Sequence, residues 1–422
     1  MSELRQIIEQ EIRDRGPIPF SRYMELCLYH PSLGYYSRNA AQFGKAGDFY
    51  TSSDIHAVFG RLLARQFDEM WRALGSPESI VLRELGPGRG LFAQDVLDWS
   101  EKKFPAFFGA LRYTLVERSS ALRERLQATL ERHIAAGKAS FPQRLRPPSS
   151  QARYGTAKAV PFHGSFRGDN QYQESTGKGT TSVVPPGPLF ARALAPGVPL
   201  IVFANEFFDA LPVEVMSPRG QLRIAAQDGR FVETWVPASA DDLEYLDRYS
   251  IHPENGERVE TARIAQTCMT QLAASIQCGF LIAIDYGYTR AEQLAGRHRD
   301  TLMTYRQHSA RPNPYEAPGE QDITAHVNFT ALGAAAERQG MQTWPLRTQS
   351  QFLMGIGEPN QFADAFEDCR LPQEHAKVAL QLKHLVTPAG LGETFHVLVA
   401  SKAVARDQVA TLGGLTFGNR PI

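Results

Sequence analysis

The distribution of apolar positions divides the chain into a helical start and a later part in which strands and helices alternate. Apolar residues recur at helical spacing in residues 4–12, and Gly16-Pro17 ends this first helix. The clearest amphipathic helix spans residues 55–74, after a TSSD segment (51–54) that resembles a capping box with Asp in place of Glu. The first 78 residues are therefore predicted to be mainly helical.

From residue 79 onward, short apolar runs that are typical of buried strands alternate with helical segments. The first run leads into a glycine-rich turn, a helix and a second strand, which is a βαβ pattern and indicates a parallel sheet. The later runs are LRYTLVERS (111–119), PLIVFA (199–204), GFLIAIDYG (279–287) and ETFHVLVAS (393–401). The pattern predicts a doubly wound α/β fold with a Rossmann-like sheet.

The same pattern predicts three parts of the chain. Residues 1–78 are predicted to form an N-terminal helical segment and lid, and residues 79–292 the core. Residues 293–422 are predicted to form a C-terminal segment, in which residues at about 323–348 and 393–402 complete the sheet. Residues 137–198 are rich in Pro, Gly and Ser and are expected to be an irregular insertion that contains one short strand and one helix. Other expected elements are a hairpin at 221–237, helices at about 257–277 and 329–339, and helical residues at 350–388.

Charge and cysteine content narrow the possible classes of protein. The 45 basic and 45 acidic residues give a formal net charge of zero, which argues against a nucleic-acid-binding protein with a basic face. The four cysteines form no CxxC pair, and so few of them suggest a reducing compartment. The N-terminus lacks the apolar region of a secretory signal, and no apolar run approaches the ~20 residues that cross a bilayer. We therefore expect a cytoplasmic protein without a membrane span, whose oligomeric state stays open.

Three glycines alternate with other residues after the first predicted strand, in Glu84-Leu-Gly86-Pro-Gly88-Arg-Gly90. Glycine allows a tight turn and close approach of a ligand, and the following helix offers free N–H groups. A P-loop is excluded because no Lys and Ser/Thr follow at its spacing, and a dinucleotide fingerprint fits poorly because Leu91 occupies its third glycine position. The spacing ExGxGxG instead matches the first motif of class I methyltransferases, where the turn lies beside the amino-acid half of S-adenosylmethionine.

Glu117 closes the next predicted strand and is a further candidate for cofactor binding. A carboxylate at this place can accept hydrogen bonds from both hydroxyls of a ribose. The alternative is a glutamate that is merely solvated at the end of a strand. The strand, the glycine turn, the helix and this acid together predict that S-adenosyl-L-methionine binds here.

Several longer motifs resemble the MidA-type methyltransferases, a family that includes the mitochondrial arginine methyltransferase of respiratory complex I assembly. The resemblance covers nearly the whole chain, and its most specific parts are GDFYTSSDIHAVFGRLLA (47–64) and NEFFDALPVEV (205–215). Further matching stretches include ELGPGRG (84–90), IDYGY (284–288) and PGEQDITAHVNFTAL (318–332). Residues 137–198 depart from the family pattern. The resemblance implies a class I methyltransferase and, for the mitochondrial member, symmetric dimethylation of an arginine on a complex I subunit.

The segment NEFFD, residues 205–209, directly follows a buried strand and holds the candidate catalytic residues. An arginine acceptor needs acids that hold its guanidinium, because a carboxylate matches the guanidinium fork bidentately. Glu206 and Asp209 are candidates for this clamp, and Asn205 could orient the same group. The alternative is that the Asn and Asp side chains cap the following turn.

Two candidates for a lid over the cofactor are Asp48 and Thr51, which precede the most strongly amphipathic helix. The N-terminus of that helix would favour the carboxylate of the cofactor, although Thr51 is also expected to act as a helix cap. Tyr35 and Tyr36 could line the channel of a cationic ligand or pack in the interior. No cluster of His, Cys and Asp has metal-ligand spacing, so we expect no metal.

Three functions remain possible at this point. The leading hypothesis is arginine methylation of a protein substrate, with a respiratory complex I subunit as the target that the resemblance implies. A second is methylation of a small molecule or of O or N atoms of other proteins, because a fold does not fix the substrate. A third is a non-catalytic assembly factor, against which the intact glycine motif argues.

Overall fold

The computed structural model describes residues 2–38, 57–142, 197–306, 309–310 and 313–417. Its helices are α1 (Glu3–Arg15), α2 (Phe20–Tyr29), α3 (Tyr35–Arg38), α4 (Ala57–Ala73), α5 (Leu91–Lys103), α6 (Pro105–Ala110), α7 (Ser120–Thr129), α8 (Glu131–Ala135), α9 (Ala240–Tyr249), α10 (Arg263–Ser275), α11 (Arg290–Leu294), α12 (Phe329–Glu337), α13 (Gln349–Gly357), α14 (Ala363–Phe366), α15 (Pro372–Val386), α16 (Arg406–Ala410) and α17 (Gly413–Thr416), with a 3₁₀ turn at Glu358–Asn360. Its strands are β1 (Ile18–Pro19), β2 (Ile80–Leu85), β3 (Leu111–Val116), β4 (Ala139–Ser140), β5 (Leu200–Asn205), β6 (Glu214–Ser217), β7 (Gly220–Gln227), β8 (Arg230–Val236), β9 (Val259–Thr261), β10 (Gly279–Tyr288), β11 (Met303–Arg306), β12 (Ser309–Ala310), β13 (Asp322–Thr324), β14 (Val327–Asn328), β15 (Gln342–Thr343), β16 (Arg347–Thr348) and β17 (Phe395–Lys402).

The centre of the fold is a sheet with the strand order β15-β17-β10-β5-β2-β3-β4. The strands from β10 to β4 in this order are parallel, whereas β17 pairs antiparallel with β10. The chain order reverses between β2 and β5, because β3 and β4 lie to one side of this pair and β10 lies to the other. The predicted doubly wound α/β sheet is confirmed, and its reversal point is where such sheets bind ligands.

Helices cover both faces of the central sheet, because alternate residues of its strands point to opposite sides. On one face, Phe92 of α5 stacks on Phe203 of β5 with ring centroids 4.6 Å apart. On the other face, α10 and α12 pack against Val202 and its neighbours. Among the helices of the described residues, none combines the length and apolarity needed to span a bilayer.

The N-terminal helices pack against a second, antiparallel sheet with the order β1-β7-β6-β9, to which β8 adds beside β7. At the end of α2, the hydroxyl of Tyr29 donates a hydrogen bond to the carbonyl of Ala210, at 2.9 Å. Ala210 directly follows the NEFFD segment. The N-terminal part therefore contacts the carboxyl edge of the central sheet, where the candidate catalytic residues lie.

Two predicted elements differ from the observed ones. The helix expected at about 257–277 begins only at Arg263, because Val259–Thr261 forms strand β9 and pairs with β6. The strand expected at 342–348 consists of the two short strands β15 and β16, which pair with different parts of β17. In both cases the pairing partner is distant in sequence, so the local pattern could not reveal it. The hairpin at 221–237 and a short strand at the start of the insertion, β4 beside β3, are confirmed.

Candidate active site

The glycine turn joins β2 to α5 at the reversal point of the sheet. Gly86, Gly88 and Gly90 have φ angles of 61°, 52° and 80°, which favour glycine because a Cβ would be strained there. A Cβ built on Gly90 would lie 2.6 Å from Cδ2 of Leu126, so close packing of α7 already requires this glycine. A Cβ built on Gly88 would meet no atom of the described residues within 4 Å. The space for a ligand beside this turn is therefore at Gly88.

The glycine turn and the NEFFD segment are in contact. The glycine turn follows β2 and the NEFFD segment follows β5. These two strands are adjacent and parallel, and their carboxyl ends lie side by side because Leu85 pairs with Ala204. A Cβ built on Gly86 would lie 3.2 Å from Cδ2 of Phe207. The fold thus brings together the predicted cofactor turn and the predicted acidic segment.

The two acids predicted for cofactor binding are buried at the ends of neighbouring strands, Glu84 in β2 and Glu117 directly after β3. The hydroxyl of Tyr113 donates to Oε2 of Glu84, and the amide of Ser119 donates to Oε1 of Glu117, both at 2.8 Å. Burial raises the pKa of Glu84 to about 8, to which the negative charge of Glu117 also contributes, and raises the pKa of Glu117 to about 7. A ligand with hydroxyl donors or positive charge would stabilise the ionised carboxylates.

The NEFFD segment is held by Asp285 of β10, a residue that the sequence analysis did not single out. Its Oδ2 accepts hydrogen bonds from the amides of three consecutive residues, at 3.2, 3.0 and 3.3 Å: Phe207, Phe208 and Asp209. Burial, followed by the negative charges of Asp209 and Glu206, raises the pKa of Asp285, while the amides lower it. The sequence signal for this role is the position of Asp285, a charged residue inside the otherwise apolar run GFLIAIDYG (279–287).

Glu206 lies in a left-handed backbone conformation, with φ of 49°. Such a conformation costs about 1–3 kcal/mol in a non-glycine residue and persists only where the surroundings impose it. Here the Glu206 amide donates to the carbonyl of Ile284 at 3.0 Å. Nδ2 of Asn205 donates to Oε1 of Glu206 at 3.2 Å, whereas the buried Oδ1 of Asn205 accepts no hydrogen bond from the described residues. The side chain of Asn205 therefore orients the carboxylate of Glu206.

Asp209 is buried beside Tyr286 of β10. The hydroxyl of Tyr286 donates a short hydrogen bond to Oδ2 of Asp209. Burial raises the pKa of Asp209 to about 6, against the lowering effect of this hydrogen bond. Its Oδ1 is also buried and has no hydrogen-bond partner among the described residues. The carboxylate thus keeps one acceptor atom for a further donor.

The remaining predicted residues are placed as follows. Asp48 and Thr51 lie outside the described residues. Tyr35 is buried at the start of α3, and the hydroxyl of Tyr36 donates to Oδ1 of Asp322 at 3.0 Å. The part of the chain that the structure describes contains no group of three His, Cys, Asp or Glu residues that could hold a metal ion. Asp322, in the GEQDITA motif, is the second acid that sequence reasoning did not single out.

Comparisons with known proteins define the class of this site. Residues 62–345 match a family described as S-adenosyl-L-methionine-dependent methyltransferases. A solved structure from Burkholderia thailandensis, with S-adenosyl-homocysteine bound, has a TM-score of 0.75 and 26% identity, and the match covers 97% of this chain and 94% of that one. The open space at Gly88 and the buried carboxylate of Glu117 fit this cofactor. The protein is a class I methyltransferase that uses S-adenosyl-L-methionine. The chain belongs to this matched family, whose MidA-type members its motifs resemble.

Curated relatives carry a more specific name. The mitochondrial protein arginine methyltransferase NDUFAF7 homolog of Drosophila melanogaster is 29% identical over 359 residues, which are 80% of this chain and 70% of the relative. The Homo sapiens mitochondrial protein arginine methyltransferase NDUFAF7 is 27% identical over 404 residues, 92% of this chain and 80% of the relative. These names contradict the prediction of a cytoplasmic protein, which is wrong. A low cysteine count indicates reducing conditions and does not distinguish between the compartments that share them.

The first prediction concerns the open space beside the glycine turn. We expect Gly88→Val to abolish binding of S-adenosylhomocysteine in calorimetry, because the branched side chain would occupy the space of the cofactor. Gly256→Val is the matched control, since Gly256 also has a left-handed φ, of 85°, and an open surrounding, but lies in the turn before β9. Unchanged affinity in a folded Gly88→Val variant would contradict the assignment of this turn.

A second prediction concerns Glu117. If its carboxylate accepts both ribose hydroxyls, Glu117→Ala should weaken cofactor binding by about 1.5–3 kcal/mol, as expected for charge-assisted hydrogen bonds. Glu124→Ala, on the exposed side of α7, should leave the affinity unchanged. Because the free carboxyl has a pKa of about 7, the affinity of the wild-type protein should rise with pH through this range. The same rise of cofactor affinity with pH in the Glu117→Gln variant would show that a group other than Glu117 causes the pH dependence.

Proposed function

We propose that this protein methylates the guanidinium of arginine side chains in a protein acceptor. The observation that carries the proposal is the contact between the cofactor turn and the NEFFD segment at the reversal point of the sheet. This contact puts Glu206 and Asp209 on the loop beside the cofactor turn, where an acceptor would meet the methyl group. The names of the curated relatives support the same acceptor chemistry.

The charge of the acidic loop favours a cationic acceptor. Asp209 is 4% exposed and Asp285 is fully buried, and no described lysine or arginine forms an ion pair with either of them. Buried carboxylates without a cation are costly, so a positive ligand gains affinity here. A guanidinium stays protonated at every relevant pH and offers donors to two carboxylates at once. A neutral hydroxyl acceptor would provide neither property.

The residues of this loop can each contribute to the reaction. When bound, S-adenosyl-L-methionine supplies a methyl group on a sulfonium carbon, which is transferred by in-line displacement. Glu206, oriented by Asn205, accepts from the guanidinium N–H groups and turns one nitrogen toward the methyl group. Asp209, whose pKa burial raises to about 6, can hold the proton that the methylated nitrogen releases. Tyr286 keeps the Asp209 carboxylate in place through its hydroxyl.

The first acceptors to assay follow from the family resemblance. Because that family includes a methyltransferase of respiratory complex I assembly, a complex I subunit is the proposed protein substrate. The mitochondrial names of the curated relatives agree with a respiratory target. The acceptor arginine and the number of methyl groups added are left to the labelling experiment.

The third prediction tests the clamp. We expect Glu206→Gln to abolish methyl transfer to arginine, because it keeps the size of the side chain but removes the charge and the bidentate acceptor. Affinity for S-adenosylhomocysteine should stay within a factor of a few. Purified enzyme is incubated with labelled cofactor and candidate subunits, and the labelled residue is mapped by mass spectrometry.

The matched control for this experiment is Asp228→Asn. Asp228 is exposed in the β7–β8 turn and has the same φ of 49° as Glu206, so the substitution tests a similar backbone without touching the site. Full activity of Glu206→Gln would contradict the proposed role of Glu206 in holding the guanidinium. Label on a lysine, a carboxylate or a hydroxyl would instead support one of the other methyltransferase functions.

A further inference from the structure

Polar side chains from three distant segments meet beside the NEFFD segment. Tyr29 and Tyr36 come from the N-terminal helices, Asp209 from the segment itself, and Asp322 from the short strand β13. The glycine turn and the strands that form its crevice contain neither the two tyrosines nor Asp322. The group therefore needs an explanation beyond cofactor binding.

Hydrogen bonds fix the relative positions of these segments. The hydroxyl of Tyr36 donates to Oδ1 of Asp322 at 3.0 Å, and the hydroxyl of Tyr29 donates to the carbonyl of Ala210 at 2.9 Å. The amide of Ala325 donates to the carbonyl of Asp209, also at 3.0 Å, which ties the chain after β13 to the acidic loop. The three segments thus form one connected wall.

The two tyrosine rings add aromatic surface to this wall. Their centroids are 5.5 Å apart with an interplanar angle of 39°, and both residues are only partly buried. The guanidinium of Arg118 lies over the ring of Tyr29 at 5.6 Å, which shows that this ring can face a planar cation. Arg118 directly follows Glu117, so Tyr29 also adjoins the candidate ribose site.

Asp209 and Asp322 give the wall a negative character, although the guanidinium of Arg118 lies beside Tyr29. Burial, and then the negative charges of Asp209 and Asp322, raise the pKa of Tyr29, and the same two acids raise the pKa of Tyr36. Asp209 is 4% exposed, and its Oδ1 accepts no hydrogen bond from the described residues. A buried acceptor of this kind is expected to have a donor in the working protein.

We propose that Asp322, Tyr36 and Tyr29 form, with Asp209, an acceptor subsite that binds a guanidinium group. The inference rests on the proposed function and extends it, because it assigns specificity to the N-terminal helices and to β13 and not to the methyltransferase core alone. Asp209 and Asp322 supply the negative charge that the planar cation needs, and the tyrosine rings provide aromatic faces. An ammonium group would use the charge but not the planar faces.

The subsite can be tested without the natural acceptor. Butylguanidinium is the probe and neutral butylurea is its shape-matched control, and both are titrated against the full chain saturated with S-adenosylhomocysteine, with ligand-observed NMR as the readout. We expect butylguanidinium to bind and butylurea not to bind. Because burial raises the pKa of Asp209, which faces Asp285 and Tyr286, affinity should rise with pH as the Asp209 carboxyl loses its proton.

Variants then assign the binding to named residues. Asp322→Asn should weaken butylguanidinium binding at least tenfold, and Tyr36→Phe should weaken it several-fold while keeping the ring. Asp228→Asn is the surface control, and unchanged affinity for S-adenosylhomocysteine shows that each variant is folded. Should Asp322→Asn fail to fold, Tyr36→Phe carries the test. Unchanged butylguanidinium affinity in the folded variants, or equal affinity for butylurea, would overturn the subsite.

The outcomes for the subsite and for the proposed function can be told apart. Label mapped to arginine together with unchanged probe affinity in Asp322→Asn overturns the subsite alone. Label mapped to another kind of residue overturns the proposed function and this inference with it. Label on arginine, with the acceptor KM raised in Asp322→Asn and the affinity for S-adenosylhomocysteine kept, supports both.

Discussion

The arrangement of the site depends on the carboxylate of Asp285, which accepts hydrogen bonds from the backbone amides of three consecutive residues after β5. These bonds fix the direction in which the NEFFD segment leaves the sheet. The adjacent Glu206 is then held in a left-handed conformation by its bond to Ile284, and Asp209 is brought to the hydroxyl of Tyr286. A buried acid of this kind is costly to ionise, and the three amide hydrogen bonds that position the loop offset part of that cost.

The accumulation of acids at the carboxyl edge opposes the stability of the unliganded protein. Burial raises the pKa of Glu84, Glu117 and Asp209 above the ordinary values, so the folded state binds more protons than the unfolded state between about pH 4 and 8. Stability is therefore expected to decrease as the pH rises through this interval. A cationic cofactor and a cationic acceptor would reverse the effect, which links the electrostatics of the fold to binding.

The part of the chain outside the methyltransferase core contributes directly to this edge. The helices before residue 39 pack on an antiparallel sheet, and their tyrosines reach Ala210 and Asp322. The open α/β sheet provides the cofactor site in a general way, because its strand order reverses between β2 and β5. The N-terminal helices and β13 add side chains from outside the core around that crevice, next to the acidic loop.

The sequence alone determined the sheet class, the glycine turn and its cofactor, because alternating apolar runs and glycine spacing are local properties of the chain. It also indicated the acidic segment after β5. Only the tertiary structure showed that Gly90 is required by packing against Leu126, that β9 is a strand and not the start of a helix, and that Asp285 and Asp322 belong to the same edge. These features depend on contacts between residues that are distant along the chain, and a periodic pattern carries no information about such contacts.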